Sequence, residues 1–346
     1  MRLLPTDLRF TQAFSGLLLC AALFTPSPAK AEPIYLGVVG KTKNDSFYVQ
    51  AFEGCQLFAR THPDVRCLYE GPADYQDIRG QVAAVKAVLA EGIDGLLISI
   101  TDSQFLAENI LRQLHQQHIP VITFDSDLLK DEQRYRLAYV GTNNFDFGVA
   151  MGNVAKRFKR AELTSICLQS GHESTPNLNE RIRGVRFALS GNTLNQRLNG
   201  EHGWNEPARC PFYTLGKRST ALFQLQYVLD KSPETLFLAV AGFAQFSPHY
   251  VERISPYREL IKSGTAVIIS ADTEPVQLNA LGQNLSTANI GQQPFEMGRL
   301  GAELLYKQIK NQQPPDKEHY YLDFHYCTPE NATNCTQAQG VSPPSH

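Results

Sequence analysis

Short apolar runs alternate along this chain with longer stretches whose apolar residues recur at helical spacing. That alternation limits the fold more than any other feature. Ile34–Val39 is apolar and closes at Gly40, and residues 47–58 follow with helical periodicity. Residues 75–90 repeat the helical pattern through Ile78, Val82, Val85 and Leu89 and stop at Gly92. Residues 95–100 form a second apolar run, residues 104–117 a second crossover helix, and Val121–Phe124 a third strand behind Pro120. The rhythm then restarts. Strands are predicted at 137–140, 163–168, 236–240, 267–269 and 286–290, and helices at 145–158, 177–189, 221–229 and 295–309. Residues 191–211, broken by Gly200, Gly203 and Pro207, read as a loop. Strands alternating with helices of about 12–16 residues build parallel, doubly wound sheets. Two such series of similar length predict an α/β protein of two similar doubly wound lobes, with a hinge and a central cleft.

The first 31 residues carry an export signature. Arg2 and Arg9 supply a positive start, residues 14–24 carry no charge, and Ala29-Lys30-Ala31 offers a small-x-small cleavage pattern. The apolar segment falls short of the ~20 residues of a membrane span, and Leu17-Leu18-Leu19 before Cys20 does not suit lipidation. Cleavage after Ala31 and a periplasmic location are expected. Removing residues 1–31 takes Arg2, Arg9, Lys30 and Asp7 and leaves 29 basic against 33 acidic residues. No positive surplus exists for gripping nucleic acid. Six cysteines remain, and an even count in an exported chain implies disulfides. Short separation favours Cys55–Cys67 and Cys327–Cys335, which leaves Cys167–Cys210. No CxxC pair supports a zinc or redox site, and neither metal nor cofactor is expected.

In open parallel sheets, ligands sit beyond the carboxyl ends of the strands. Those ends fall at residues 41–48, 101–103, 125–127, 170–181 and 271–274. The chain has no Walker A, HExxH or Gly-x-Ser-x-Gly motif. His115 and His118 lack further metal ligands, and His172-Glu173 lacks a nucleophile. No catalytic residues are assigned, and the chain is read as a binding protein rather than an enzyme.

At these strand ends the sequence resembles the type I periplasmic binding proteins, especially the ribose- and galactose-binding group. The likeness spans nearly all of residues 34–310. It rests on Gly37-Val38-Val39, Asn44-Asp45-Ser46-Phe47-Tyr48, Asp94-Gly95-Leu96-Leu97-Ile98 and the stretch from Ile119 to Asp125. It continues through Asn179-Glu180-Arg181-Ile182-Arg183-Gly184, Ala271-Asp272-Thr273 and the stretch from Ile290 to Gly298. Soluble regulators of the lactose-repressor type share the fold, but here an export signal stands where their DNA-binding helices would be. The resemblance implies two lobes joined by three crossing segments. The first holds residues 34–140 and 293–312, the second 141–292 and about 313–328, with 329–346 as a tail.

The resemblance also implies the ligand-binding residues: Asn44, Asp45, Phe47, Tyr48, Asp125, Arg181, Asp272 and Gln292. Phe47 and Tyr48 offer flat faces to a sugar ring, although both also suit a helix-start core. Asp125 and Asp272 can accept hydroxyl hydrogen bonds or merely cap helices. Arg181 carries a planar fork suited to vicinal hydroxyls or a carboxylate. Gln292 is expected at the third crossing. Where the family often has Asn-Asp, this chain has Ala241-Gly242-Phe243-Ala244-Gln245-Phe246, so contacts there are missing or rebuilt, with Gln245 or Phe243. Lys41 and Lys43 add charge to the first loop. A monomer is expected that captures a small polar ligand, a carbohydrate or a relative of one, and delivers it to an ABC transporter permease. The alternative is a sensor that docks on a chemoreceptor or sensor kinase, which the cysteines and the chain from Tyr320 onward favour; a secreted enzyme is the remote alternative.

Overall fold

The computed structural model describes residues 32–160 and 162–335. The expected export signal at 1–31, its cleavage after Ala31, and residues 336–346 of the expected tail lie outside the described residues.

The chain begins with β1 (Ile34–Val39), α1 (Ser46–Thr61), β2 (Val65–Glu70), α2 (Ile78–Ala90) and β3 (Gly95–Ile98). Helix α3 (Ser103–Leu106) runs through a π turn (Ala107–Leu111) into α4 (Arg112–Gln116), followed by β4 (Val121–Phe124) and β5 (Ala138–Gly141). The second half holds α5 (Asn144–Lys156), β6 (Thr164–Ser170), α6 (Pro176–Ser190), β7 (Trp204–Asn205), β8 (Phe212–Tyr213) and α7 (Arg218–Lys231). It continues with β9 (Leu236–Ala239), α8 (Tyr250–Ile254), α9 (Arg258–Lys262), β10 (Ile268–Ala271), α10 (Pro275–Gly282) and β11 (Ala288–Gly291). Helix α11 (Pro294–Asn311), β12 (His319–Tyr321) and β13 (His325–Cys327) complete it.

One sheet has the order β12-β5-β4-β3-β1-β2, and the other β13-β11-β10-β9-β6-β7, with β8 also on β6. Strands pair in parallel except β11 with β13. Strands β3, β4, β9, β10 and β11 are buried at every position, as parallel strands covered on both faces must be. Helices cover the first sheet over two cores, one around Leu36, Val38 and Phe124 and one around Val39, Leu96 and Ile98. The second sheet has its own core around Trp204, Phe237 and Ile269. Both sheets share the 2-1-3-4-5 strand order, which leaves a switch point between β1 and β3 and another between β6 and β9, where ligands collect beyond the strand ends.

The two halves repeat a helix crossing as well. A Cβ on Gly54 of α1 would run into the Phe295 carbonyl of α11, and one on Gly298 into the Ala51 carbonyl. In the second half, Gly148 of α5 meets the Arg181 carbonyl of α6 in the same way, and Gly184 meets that of Phe145.

Two sequence expectations change, and one strand is new. Residues 313–328 do not all join the second sheet: β12 extends the first beside β5, and β13 returns to the second beside β11. Residues 329–335 of the expected tail are built in, with Ala332 and Cys335 buried under Leu281. Strand β2, which no apolar run announced, is an edge strand whose polar positions face outward, and β1 sets its register. The three disulfides join Cys55 to Cys67, Cys167 to Cys210 and Cys327 to Cys335, as expected.

Candidate functional site

The strand ends of both sheets open on one cavity. Lys41, Asp45, Phe47 and Tyr48 follow β1, and Asp125 follows β4. Across from them stand Asn177 and Arg181 of α6, residues 241–243 and Phe246 after β9, Asp272 after β10 and Gln292 after β11. The free volume among them is ≈ 40 Å³, on the scale of a few water molecules. Side chains span the gap. Lys41 Nζ donates to Asn177 Oδ1 (3.0 Å), Gln76 Nε2 to Thr175 Oγ1 (3.1 Å), and Gln50 Nε2 to the Glu274 carboxylate (2.7 and 2.8 Å).

Asp125 and Asp272 are equivalent in the two halves. Each follows its strand with left-handed backbone, φ 58° and 72°, a conformation that costs a non-glycine residue of order 1 kcal/mol or more and is most tolerable for Asp and Asn. Each amide is held by the neighbouring strand, Asp125 N–H by the Val140 carbonyl (3.3 Å) and Asp272 N–H by that of Ile290 (2.7 Å). The turn aims both carboxylates into the cleft.

Asp125 is heavily engaged by the protein itself. Its Oδ2 accepts from Ser99 Oγ (2.8 Å) and Tyr48 OH (3.2 Å), with Lys41 Nζ at 3.4 Å. Its Oδ1 accepts from Asn177 Nδ2 (3.2 Å) and faces Arg181 Nη2 at 3.8 Å. Burial pulls the Lys41 ammonium below its ordinary pKa, and the Asp125 charge opposes that shift. Arg181 is clamped from behind: Nε donates to Asn144 Oδ1 (2.8 Å), Nη1 to the Val240 carbonyl (3.0 Å), and the guanidinium lies over the Phe147 ring at 4.5 Å. Its Nη2 is buried without a hydrogen-bond partner. Asp272 accepts from Gln292 Nε2 (2.9 Å), and burial raises its pKa. Gln292 Oε1 is also buried without a partner.

Of the sequence-derived residues, Asp45, Phe47, Tyr48, Asp125, Arg181, Asp272 and Gln292 line this cavity. Asn44 does not: it is exposed, and its Nδ2 donates to the Ala73 carbonyl (3.0 Å). Asp45 lines the cavity while capping α1, accepting from Phe47 N–H (2.9 Å) and from Tyr75 OH. Burial pushes its carboxyl up to about 7. Phe47 and Tyr48 are buried and pack edge to face at 5.3 Å.

Sequence reasoning missed Asn177 and Tyr75 and treated Lys41 only as loop charge. Asn177 sits four residues before Arg181 on one helical face, and that spacing was the available signal. Tyr75 was assigned to a helix. Asp77 instead caps α2 through the Gly80 N–H (2.8 Å), so the helix starts at Ile78 and Tyr75 turns inward against Phe243 (5.1 Å). Gln245 points elsewhere, bonded to Gln277 and Asn289, while Phe243 and Phe246 form the wall.

A family model described as the periplasmic binding protein domain matches residues 36–313. The chain belongs to that family. No curated protein gives a significant match. Among solved structures it is similar to an ABC transporter solute-binding protein from Agrobacterium vitis bound with α-D-tagatopyranose. That match has 18% identity over 90% of this chain and 99% of the other, with a TM-score of 0.75. A Burkholderia graminis solute-binding protein in complex with D-arabinose matches at 20% identity over 89% and 100%, TM-score 0.73. A Bacillus halodurans one with bound myo-inositol matches at 16% over 87% and 96%, TM-score 0.68.

Proposed function

We propose that this protein captures a small polyhydroxylated solute, a sugar or close relative, by closure of its two halves and delivers it to an ABC transporter permease. The observation that carries this reading is the convergence of polar groups from both sheets on one buried cavity, where Arg181 Nη2 and Gln292 Oε1 stand unpaired. Buried polar atoms without partners are costly, and a ligand hydroxyl satisfies a donor and an acceptor at once. The solved proteins of this shape described above hold sugars or a polyol, which supports the same class here. Arg181, Asp272, Gln292, Phe47 and Tyr48 are the assigned contacts, Asp125 holds Lys41 and Arg181 beside them, and Asp45 positions the aromatic pair.

The ligand leaves chemically unchanged. The described lining contains no histidine or cysteine, and Asp125 is engaged by neighbours rather than poised beside a nucleophile. Capture takes place outside the cytoplasmic membrane, after export and cleavage behind Ala31, by a monomer. The sensor alternative loses one support, because residues 320–335 serve as sheet edges and a disulfide-closed turn.

A thermal-shift screen over sugars, polyols and organic acids tests the reading, with calorimetry on each hit. A saturable shift that Arg181→Ala removes is expected. Absence of any shift across the sugars, sugar acids and polyols, or hits that convert to product, overturns it.

A further inference from the structure

We infer that the ligand of this cleft carries a carboxylate, seated between Arg181 Nη2 and Lys41 Nζ, so that the solute is a sugar acid rather than a neutral sugar. The inference rests on the capture function proposed above and narrows it.

The argument is an inventory of what the pocket leaves unmet. Asp125, the strand-end carboxylate expected to take ligand hydroxyls, already accepts from Ser99, Tyr48 and Asn177, with Lys41 Nζ 3.4 Å away. A carboxylate so occupied has little capacity left for a guest. It serves as internal counter-ion to two cations. Asp272 is bound by Gln292, and its burial favours the uncharged acid. The unmet capacity lies on the donor side. Arg181 Nη2 is buried with no hydrogen bond, 3.8 Å from the nearest Asp125 oxygen. The Lys41 ammonium has three donors, of which one goes to Asn177 and one faces Asp125.

The charge count runs the same way. Lys41 and Arg181 are both buried, and Asp125 is the only carboxylate that either cation approaches within ion-pair distance among the described residues. Arg181 and the Lys41 ammonium share this one close anion, and burial draws the Lys41 pKa down; an incoming anion would hold both groups charged, because an unpaired buried charge is expensive. A carboxylate supplies up to four lone-pair sites and fits the planar guanidinium fork. Gln292 Oε1 then remains for a ligand hydroxyl. Phe47, Tyr48, Phe243 and Phe246 supply the apolar walls for a ring.

The test is calorimetry on the whole mature protein with matched pairs: D-galactose against D-galacturonate, and D-glucose against D-glucuronate and D-gluconate. At least one acid should bind tenfold or more tighter than its neutral counterpart. Lys41→Met, which keeps the aliphatic stem and removes the charge, should cut that preference to threefold or less. Lys41→Gln carries the same readout should the methionine variant fail to fold. Neutral sugars binding as tightly as their acids overturn the inference and leave the capture function standing. A preference that survives loss of the lysine charge overturns the assignment of Lys41. Failure of every sugar and sugar acid to bind overturns both readings.

Discussion

Asn177 Oδ1 accepts a hydrogen bond from Lys41 Nζ at 3.0 Å, joining residues 136 positions apart, one after the first strand of the first sheet and one on α6 of the second half. The two halves therefore meet through their own side chains. Binding then competes with internal contacts, and closure has an energy of its own.

Removing that bridge should loosen closure. A net hydrogen bond is worth about 1 kcal/mol, near a fivefold change in the closed-to-open ratio. Asn177→Ala should therefore increase the ligand-free radius of gyration in small-angle X-ray scattering. An unchanged value would contradict the bridging role.

Asp125→Ala should do two things at once. It removes the counter-ion of buried Lys41 and Arg181 and should cost about 3–5 kcal/mol in urea unfolding. It should also weaken ligand binding, because Lys41 and Arg181 lose the carboxylate that holds them. Asp125→Asn, which can still accept from Ser99 or Tyr48, should cost clearly less. Equal stability of all three proteins would refute the counter-ion role.

Asp45 predicts a slope in stability with pH. Its folded pKa is about 7 against an ordinary 3.8 because of burial. The folded state binds more protons between those values, so the contribution is full below about pH 4 and is lost as pH rises through 7. Asp45→Asn keeps a capping oxygen and removes the titration. The melting temperature of the native protein should fall relative to the variant from pH 4 to 7.5, by the equivalent of a few kcal/mol at most. Parallel melting curves would show that Asp45 does not titrate there.

Loss of Cys167–Cys210 should destabilise more than loss of either other disulfide. The chain-entropy model gives about 4 kcal/mol for its span of 43 residues. It gives about 2.5–3 kcal/mol for the spans of 12 and 8. Paired Cys→Ser variants, compared by denaturant midpoint, check the ranking.

The helix crossings carry a symmetric prediction. Alanine at Gly148 or Gly298 would press a methyl group into a backbone carbonyl that cannot move aside. Each substitution should cost about 1–3 kcal/mol. Alanine at Gly264, around which nothing lies within 4 Å, should cost less, although its φ of +75° keeps the change from being free.

The alternation of apolar runs and helical repeats was enough to determine twin parallel α/β halves, because strands buried on both faces must read as unbroken apolar segments. Cysteine separation favoured, without fixing, the disulfide pairing that the structure holds. It worked because the two short spans close locally and leave a single remaining pair. Most of the cleft was legible too, since residues at strand ends have few other places to be. Edge strands β2, β12 and β13 were not legible. Half of each faces outward or sits at a rim, so the apolar pattern that marks a central strand is missing, and only pairing with β1, β5 and β11 makes them strands.

Their place after strand ends, together with the family resemblance, placed Asp125 and Arg181 at the cleft; which atoms of each remain free was decided by the tertiary structure alone. Hydrogen-bond capacity is consumed by neighbours distant in sequence: Ser99, Tyr48 and Asn177 occupy Asp125, and Asn144 and Val240 occupy two faces of Arg181. Asn44 was misplaced for the same reason, because the Ala73 carbonyl across the loop claims its amide. A side chain's chemistry is written in the sequence, but its spare valence at a binding site is what remains after three-dimensional packing has used the rest.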